Sequence, residues 1–295
     1  MTATTISRIL WPRPALADCM FCTIVRDTRG VALDQDQRFN FFPASPFCSL
    51  TWMFEGDLYG IDHRDQMERP WTGTRVADLA LSGAHLGPMV SWNSGEVYMV
   101  VVAFYPDAFS AMTGLDLSPF TGRAVAAEEV LPPSIFETCR EFFDDVPCNG
   151  IEKGLSAFED QIEVIWGGMR PVGSRPTRRL KDWSRSLALR AAFSAPGRSA
   201  RQIARRIRSW TGVSERDLHG LGHSEQFYAK LHEAIANGGI DWAELAATSG
   251  FADQPHMIRQ MRRSSGFTPE QLRQRARDDE AFWGYRLLRE YFERQ

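Results

Sequence analysis

The spacing of apolar residues changes character once along this chain. Over residues 39–106, short β-branched and aromatic runs alternate with turn residues, which predicts strands. PFCSLTWMFEG (46–56) is apolar and aromatic and ends on a Glu-Gly turn signal, and RVADLALS (75–82) alternates loosely. In SWNSGEVYMVVVAFYP a turn at Asn93-Ser94-Gly95 precedes a β-branched run from Val97 to Tyr105, so this stretch predicts a hairpin. Antiparallel strands of this length favour a small barrel or sandwich. Helical periodicity follows over 133–145 and again over 151–166, where Leu155, Phe158, Ile162 and Ile165 recur on one face. MRPVGSRPTRR (169–179) then supplies prolines, glycine and arginines after a Trp166-Gly-Gly stop, which fits a linker.

Beyond the linker the pattern is wholly helical and repeats at an offset of 54 residues. SARQIARRIRSWTGVSERDL (199–218) aligns with DQPHMIRQMRRSSGFTPEQL (253–272): Arg205 meets Arg259, Arg208 meets Arg262, Gly212 meets Gly266 and Leu218 meets Leu272. Ile203 and Ile207 meet Met257 and Met261, so both copies bury the same i, i+4 stripe. Each opens with a helix-capping residue, Ser199 or Asp253, and closes on a glycine suited to the position after a helix. A further helix precedes each copy; before the second, Asp241 and Glu244 are spaced as a capping pair and Thr248-Ser-Gly250 ends the helix. Helix, turn, then a helix with an apolar back and a basic front is a helix-turn-helix, and it occurs twice.

Composition narrows the class. With 295 residues, 43% apolar and 24% charged, the chain is ordinary globular protein, long enough for two cores. No run approaches the roughly 20 apolar residues of a membrane span, and the N-terminus has no secretory pattern. Five cysteines, Cys19, Cys22, Cys48, Cys139 and Cys148, show no disulfide framework, so reduced thiols in a cytoplasm are expected. The net charge of −3 conceals an asymmetry: residues 1–170 carry a net of −11 and residues 171–295 a net of +8. Within 175–208, eleven basic residues face the single acid Asp182. That much like charge repels itself unless anions neutralise it, although a solvated helical face fits the charge alone equally well.

A helix seated in the DNA major groove packs one face on its partner helix and presents long donors on the other. With Ile203, Ile207 and Trp210 inward, the first copy presents Ala200, Arg201, Ala204, Arg205 and Arg208; with Met257 and Met261 inward, the second presents Gln254, Pro255, Ile258, Arg259 and Arg262. Arginine pairs bidentately with guanine and glutamine with adenine.

At these residues the chain resembles the AraC/XylS family of bacterial transcription regulators. LAATSGFADQPHMIRQMRRSSGFTPEQLR carries most of the resemblance, which covers roughly 185–277. It implies two helix-turn-helix units joined by a long helix, here about 214–235 and ending at Asn237-Gly-Gly. It also implies base reading by Arg201, Ala204 and Arg205 in the first unit and by Gln254, Pro255 and Arg259 in the second; Arg206, Arg208, Arg262 and Arg263 are expected to contact phosphates. The first unit departs from the pattern: Ser194-Ala-Pro-Gly197 stands where the second has Ser249-Gly-Phe, and Ala191 replaces Leu245. Pro255 lacks a donor but is sterically allowed near a helix start.

The stretch from Leu81 to Leu131 looks like the sensing or dimerisation half of some of these regulators, which implies a cupin-like β-barrel followed by helices. Trp52, Phe54, His85, Trp92, Tyr98 and Phe104 fall on predicted strands and are candidates to line an effector site in it, the plainer alternative being barrel core. Cys19-Met-Phe-Cys22 has metal-like spacing without a second pair. DNA-repair methyl-acceptor proteins share this helix-turn-helix but need a four-cysteine zinc site. His63 and His85 stand alone where a cupin metal needs a His-x-His and Glu set, and no Gly-x-Ser-x-Gly, P-loop or dinucleotide fingerprint occurs.

The sequence therefore predicts an α+β chain: a sensing or dimerisation domain over 1–170, a linker over 171–180, and a double helix-turn-helix DNA-binding domain over 181–295. The expected protein is a cytoplasmic, nucleoid-associated regulator, not an enzyme, without cofactor or metal. Its expected partners are double-stranded DNA, a small-molecule effector, a second copy of itself and, if it is an activator, RNA polymerase. The alternative is a cupin-like ligand-binding or metal enzyme whose helices mediate protein contacts.

Overall fold

Ten strands, grouped in two antiparallel sheets, make up the β part of this α+β protein among the residues that the structure, a computed structural model, describes: 4–171, 174, 176–177, 179–194, 199–236 and 239–293. They are β1 (Ile6–Leu10), β2 (Met20–Asp27), β3 (Phe39–Phe42), β4 (Cys48–Glu55), β5 (Leu58–Gly60), β6 (Thr74–Arg75), β7 (Leu79–Ser82), β8 (Met89–Asn93), β9 (Tyr98–Phe104) and β10 (Ala124–Ala126). The larger sheet runs β1-β2-β9-β4-β7-β10 and the smaller β3-β8-β5-β6.

The expected hairpin over 91–106 does not form. β8 pairs with β3 and β5, whereas β9 pairs along its length with β2 and β4, so the Ser94–Val97 connection passes from one sheet to the other. Both edges of β9 are taken by longer partners, Val100 lying opposite Val25 on one side and Trp52 on the other. The first two strands, β1 and β2, lie outside the region where strands were expected.

Period-two alternation gives the larger sheet two apolar faces. Leu50, Trp52, Val100, Val102 and Phe104 pack against α1 (Pro106–Thr113), α2 (Pro133–Asn149) and α3 (Ile151–Met169). The Trp52 indole donates to the Cys139 carbonyl of α2 at 2.9 Å. Val146 would lie 2.7 Å from a Cβ at Gly154, so glycine lets α2 and α3 close on one another. On the opposite face Met53, Val97 and Met99 meet Phe42 and Leu58 of the smaller sheet, which forms the inter-sheet core.

The helical half comprises α4 (Leu180–Phe193), α5 (Ala200–Thr211), α6 (Glu215–Ala236), α7 (Trp242–Thr248), α8 (Gln254–Ser265), α9 (Pro269–Asp278) and α10 (Trp283–Glu293). The Ser194–Gly197 turn and the Asn237-Gly-Gly stop lie largely outside the described residues, as does much of the proposed linker. Trp183, Leu187, Ala191, Ile207, Val213 and Leu218 share a core with the larger sheet and its helices. Phe227, Leu245, Phe251, Met257, Met261 and Leu272 share a second core with Phe39 and Trp92 of the smaller sheet. No described helix is long and apolar enough to cross a membrane.

Candidate nucleic-acid interface

The 54-residue repeat is a structural repeat down to its hydrogen bonds. α5 and α8 are both 12 residues long. At their starts, Ser199 Oγ accepts the Gln202 amide (3.3 Å) and Asp253 Oδ1 the His256 amide (2.6 Å), satisfying donors that a first helical turn leaves unpaired. At their ends, Gly212 (φ +74°) and Gly266 (φ +82°) take the left-handed conformation that glycine adopts without penalty. Thr211 Oγ1 donates to the Ile207 carbonyl (2.7 Å) and accepts the Val213 amide (3.0 Å). In the second copy Ser265 Oγ donates to Met261 (2.7 Å) and accepts from Phe267 (3.1 Å). Ser214 and Thr268 then cap the following helices through the Asp217 and Gln271 amides, each at 3.2 Å.

Each repeated helix has one buried side: Ile207, with Ile203 half-buried, in α5, and Met257 and Met261 in α8. On the other side Ala200, Arg201, Ala204, Arg205 and Arg208 are exposed on α5, as are Gln254, Pro255, Arg259, Arg262 and Arg263 on α8, with Ile258 half-buried. Pro255 sits in the first turn, where its missing N–H leaves no bond unmade. Several arginines elsewhere are engaged: Arg13 with Glu159, Arg26 with Glu280, Arg170 with Asp18 and Arg190 with Asp107. Among the described residues, the side chains of Arg201, Arg205, Arg208, Arg259 and Arg262 enter no ion pair. Arg263 is 3.9 Å from Asp217 with 67% of its side chain exposed, a contact too long and too wet to hold it.

Arg206 is the exception to the expected basic front. It is half-buried, and its guanidinium donates to the Ala191 carbonyl at 2.8 Å, neutralising the last turn of α4 rather than facing outward.

Beside the α8 front, between α6, α8 and Leu86, lies a cleft of about 270 Å³ walled by Arg216, His219, His223, His256, Gln260 and Arg263. The His219 and His223 rings are 4.5 Å apart. Burial, followed by the neighbouring His219, Lys181 and His256, holds His223 below the ordinary imidazole range.

The aromatic candidates for an effector site occupy separate places. Trp52, Phe54, Tyr98 and Phe104 lie on the helix-covered face of the larger sheet. Trp52 meets Phe142 and Phe158 edge-on, Phe54 stacks near Phe143, and Phe104 rests on Phe109. Tyr98 lies beside Phe54 and carries the Arg29 guanidinium 4.2 Å over its ring. Trp92 belongs to the smaller sheet, donating to the Gln35 carbonyl at 3.2 Å within the core of the second helical unit. His85 bridges Ser45 through its backbone; its buried ring has no partner for Nε2, and burial lowers its pKa.

His63 caps a short helical turn. Cys19 and Cys22 are buried, and burial pushes the Cys22 thiol up to about 12. Among the described residues, no three His, Cys, Asp or Glu side chains are placed to hold a metal ion.

Asp107 is a structural residue that sequence reasoning missed. This buried carboxylate accepts the Trp183 indole N–H at 2.9 Å and pairs with Arg190, tying α4 to the start of α1. Its only signal was position, beside the Pro that opens a helix.

No protein-family model matches the chain, and no curated protein sequence matches it. Among solved structures, ToxT from Vibrio cholerae O395 overlaps 79% of this chain and 92% of its own at 10% identity and a TM-score of 0.34. ToxT bound to (E)-4-(8-methylnaphthalen-1-yl)but-3-enoic acid gives 0.35 over 79% and 94% at 10% identity. The AraC-like transcriptional activator CuxR gives 0.30 over 93% of this chain and 82% of its own at 13% identity.

Proposed function

We propose that this chain is a sequence-specific DNA-binding regulator of transcription of the AraC/XylS type, with α5 and α8 as its two major-groove readers. The observation that carries the reading is the pair of matched helices, each apolar behind and bearing unpaired arginines in front. A structural role for that front would call for carboxylate partners, and among the described residues Arg201, Arg205, Arg208, Arg259 and Arg262 have none, while Arg263 has only the long, exposed contact to Asp217. Two such helices entering one duplex from the same side meet successive major-groove segments about 34 Å apart.

In this reading Arg201 and Arg205 with the small Ala204, and Gln254 and Arg259 beside Pro255, face base edges. Arg208, Arg262 and Arg263 face phosphates. Arg206 anchors α5 to α4 and does not touch DNA. The sheet half, sharing a core with each helical unit, is the regulatory part. The test is an anisotropy titration of the purified chain against duplexes selected from a random pool. Arg259→Ala is expected to relax preference at one base position by about 1–3 kcal/mol while leaving the other positions intact. An unchanged preference at every position would remove Arg259 from base reading, and failure to enrich any sequence would remove the function.

A further inference from the structure

The two helical units rest on different sheets. The unit containing α5 shares its core with the larger sheet and α1–α3, and the unit containing α8 shares its core with Phe39 and Trp92 of the smaller one. Backbone ties repeat the division. At the end of α5 the Ser209 carbonyl accepts the Leu117 amide (3.0 Å), the Arg208 carbonyl accepts the Ser118 hydroxyl (3.2 Å) and the Gly212 carbonyl accepts the Thr121 hydroxyl (2.9 Å). At the end of α8 the Ser264 carbonyl accepts the Ala44 amide at 2.7 Å, two residues past β3. The sheet half thus grips both basic helices near equivalent points of the repeat.

Besides packing directly on one another, the two sheets are bridged by the last helix. α10 crosses the gap between β1 and β3, the edge strands of the larger and smaller sheets. Trp283 and Leu287 enter the inter-sheet core beside Met53, Met99 and Phe42, while Phe282 and Tyr285 enter the core of the second helical unit. The Trp283 indole donates to Asn40 Oδ1 at 2.7 Å and meets the Phe42 ring edge-on at 5.0 Å. Arg26, 2% exposed, lies 4.9 Å over the same indole and donates to Glu280 at 2.8 Å. Gly284 makes the approach possible: a Cβ there would lie 2.6 Å from Phe42 Cδ1.

The direct covalent link between the units, α6, has a weak point. Leu218 belongs to the first core and Phe227 to the second, and between them stand Gly220 and Gly222. Leu221, between the two glycines, is buried but belongs to neither core, and glycine inside a helix costs about 1 kcal/mol relative to alanine, so the rod is softest between the two cores.

We propose that the sheet half is a jig that fixes the spacing and phase of the two DNA-reading helices. In it α10 is the clasp that holds the two sheets together, and the Gly220–Gly222 stretch is the soft joint that makes the jig necessary. The proposal rests on the DNA-binding reading above. Releasing the clasp lets the smaller sheet, and α8 with it, shift relative to α5.

The test compares full-length chains on the duplex selected by the unaltered protein and on the same duplex with one or two base pairs inserted between the protected segments. One added pair turns the segments by roughly 35° and separates them further. A rigid pair of readers loses its second contact, about tenfold or more in affinity, whereas a loosely coupled pair loses less than about threefold. Gly284→Val, or Trp283→Phe if the valine variant does not fold, is expected to raise hydrogen exchange in 283–293 and to abolish the spacing penalty. Gly222→Ala, whose Cβ meets no atom within 4 Å, stiffens the joint and is expected to restore part of the penalty in the released variant.

Faster exchange in α10 with an unchanged spacing penalty would overturn the proposal. So would α10 exchange that neither substitution alters, or an unaltered chain that tolerates insertions. A chain that selects no duplex at all would instead overturn the DNA-binding reading, before any insertion is tried.

Discussion

Glu225 of α6 is a carboxylate enclosed where α4, α6 and α10 meet. It accepts the Leu180 amide at 2.9 Å and the Tyr291 hydroxyl at 3.1 Å. Burial pushes its pKa up to about 7; Asp182 adds to the rise, while the Leu180 amide, the Tyr291 hydroxyl and Arg179 oppose it. The folded protein therefore holds this proton more tightly than the unfolded chain, where the group titrates near 4.5. Folding stability from this site is fully present below about pH 4.5 and is lost as pH rises through about 7. Each unit of pKa is 1.36 kcal/mol, so the loss amounts to about 3 kcal/mol as an upper bound.

Glu225→Gln removes the titration and keeps one carbonyl acceptor, at the cost of one hydrogen bond worth about 1 kcal/mol. The variant is expected to be about 2 kcal/mol more stable than the native chain at pH 8 and to match it within about 1 kcal/mol at pH 5. Urea unfolding at pH 5, 6, 7 and 8, followed by tryptophan fluorescence, reads the difference directly. A substitution that destabilises equally at every pH would refute the argument, because the carboxylate would then be acting as an ordinary ionised acceptor.

Other expectations follow from the same geometry. Met261→Ala, at a fully buried position on the inner side of α8, is expected to cost about 2–5 kcal/mol in urea unfolding and to broaden hydrogen exchange across the second helical unit. Asp107→Asn leaves Arg190 without its carboxylate and is expected to destabilise by about 3 kcal/mol, with exchange rising first in α4. Arg262→Ala is expected to reduce the slope of log affinity against log salt by roughly 0.9, one phosphate's worth, without changing sequence preference. Arg206→Ala is expected to leave that slope unchanged while loosening α5 from α4 in hydrogen exchange.

What the sequence disclosed depends on how local each signal was. The two basic helices were legible because their caps, buried stripes and closing glycines all lie within 20 residues and recur at a fixed offset. Their exposed faces fell where periodicity put them, apart from Arg206, whose direction is set by the Ala191 carbonyl on another helix. α2 and α3 were equally legible from spacing alone. Strand partnership was not: β9 reads as half of a local hairpin, yet its partners are β2 and β4, chosen by long-range registers that no neighbouring residue encodes. β1 and β2 were missed because Arg8 and Arg26 interrupt their apolar pattern, and Arg26 is accommodated by Glu280, 254 residues away. The aromatic tail from Phe282 onward carried composition but no clue that it crosses back to the sheets.

The central claim is that α5 and α8 read one duplex together, and hydroxyl-radical footprinting of the full-length protein on its selected DNA tests it most directly. The account predicts two protected segments on the same face of the helix, centred about ten base pairs apart. Protection there should weaken at the first segment with Arg205→Ala and at the second with Arg259→Ala. A single protected segment, or two that both weaken with either substitution alone, would contradict it.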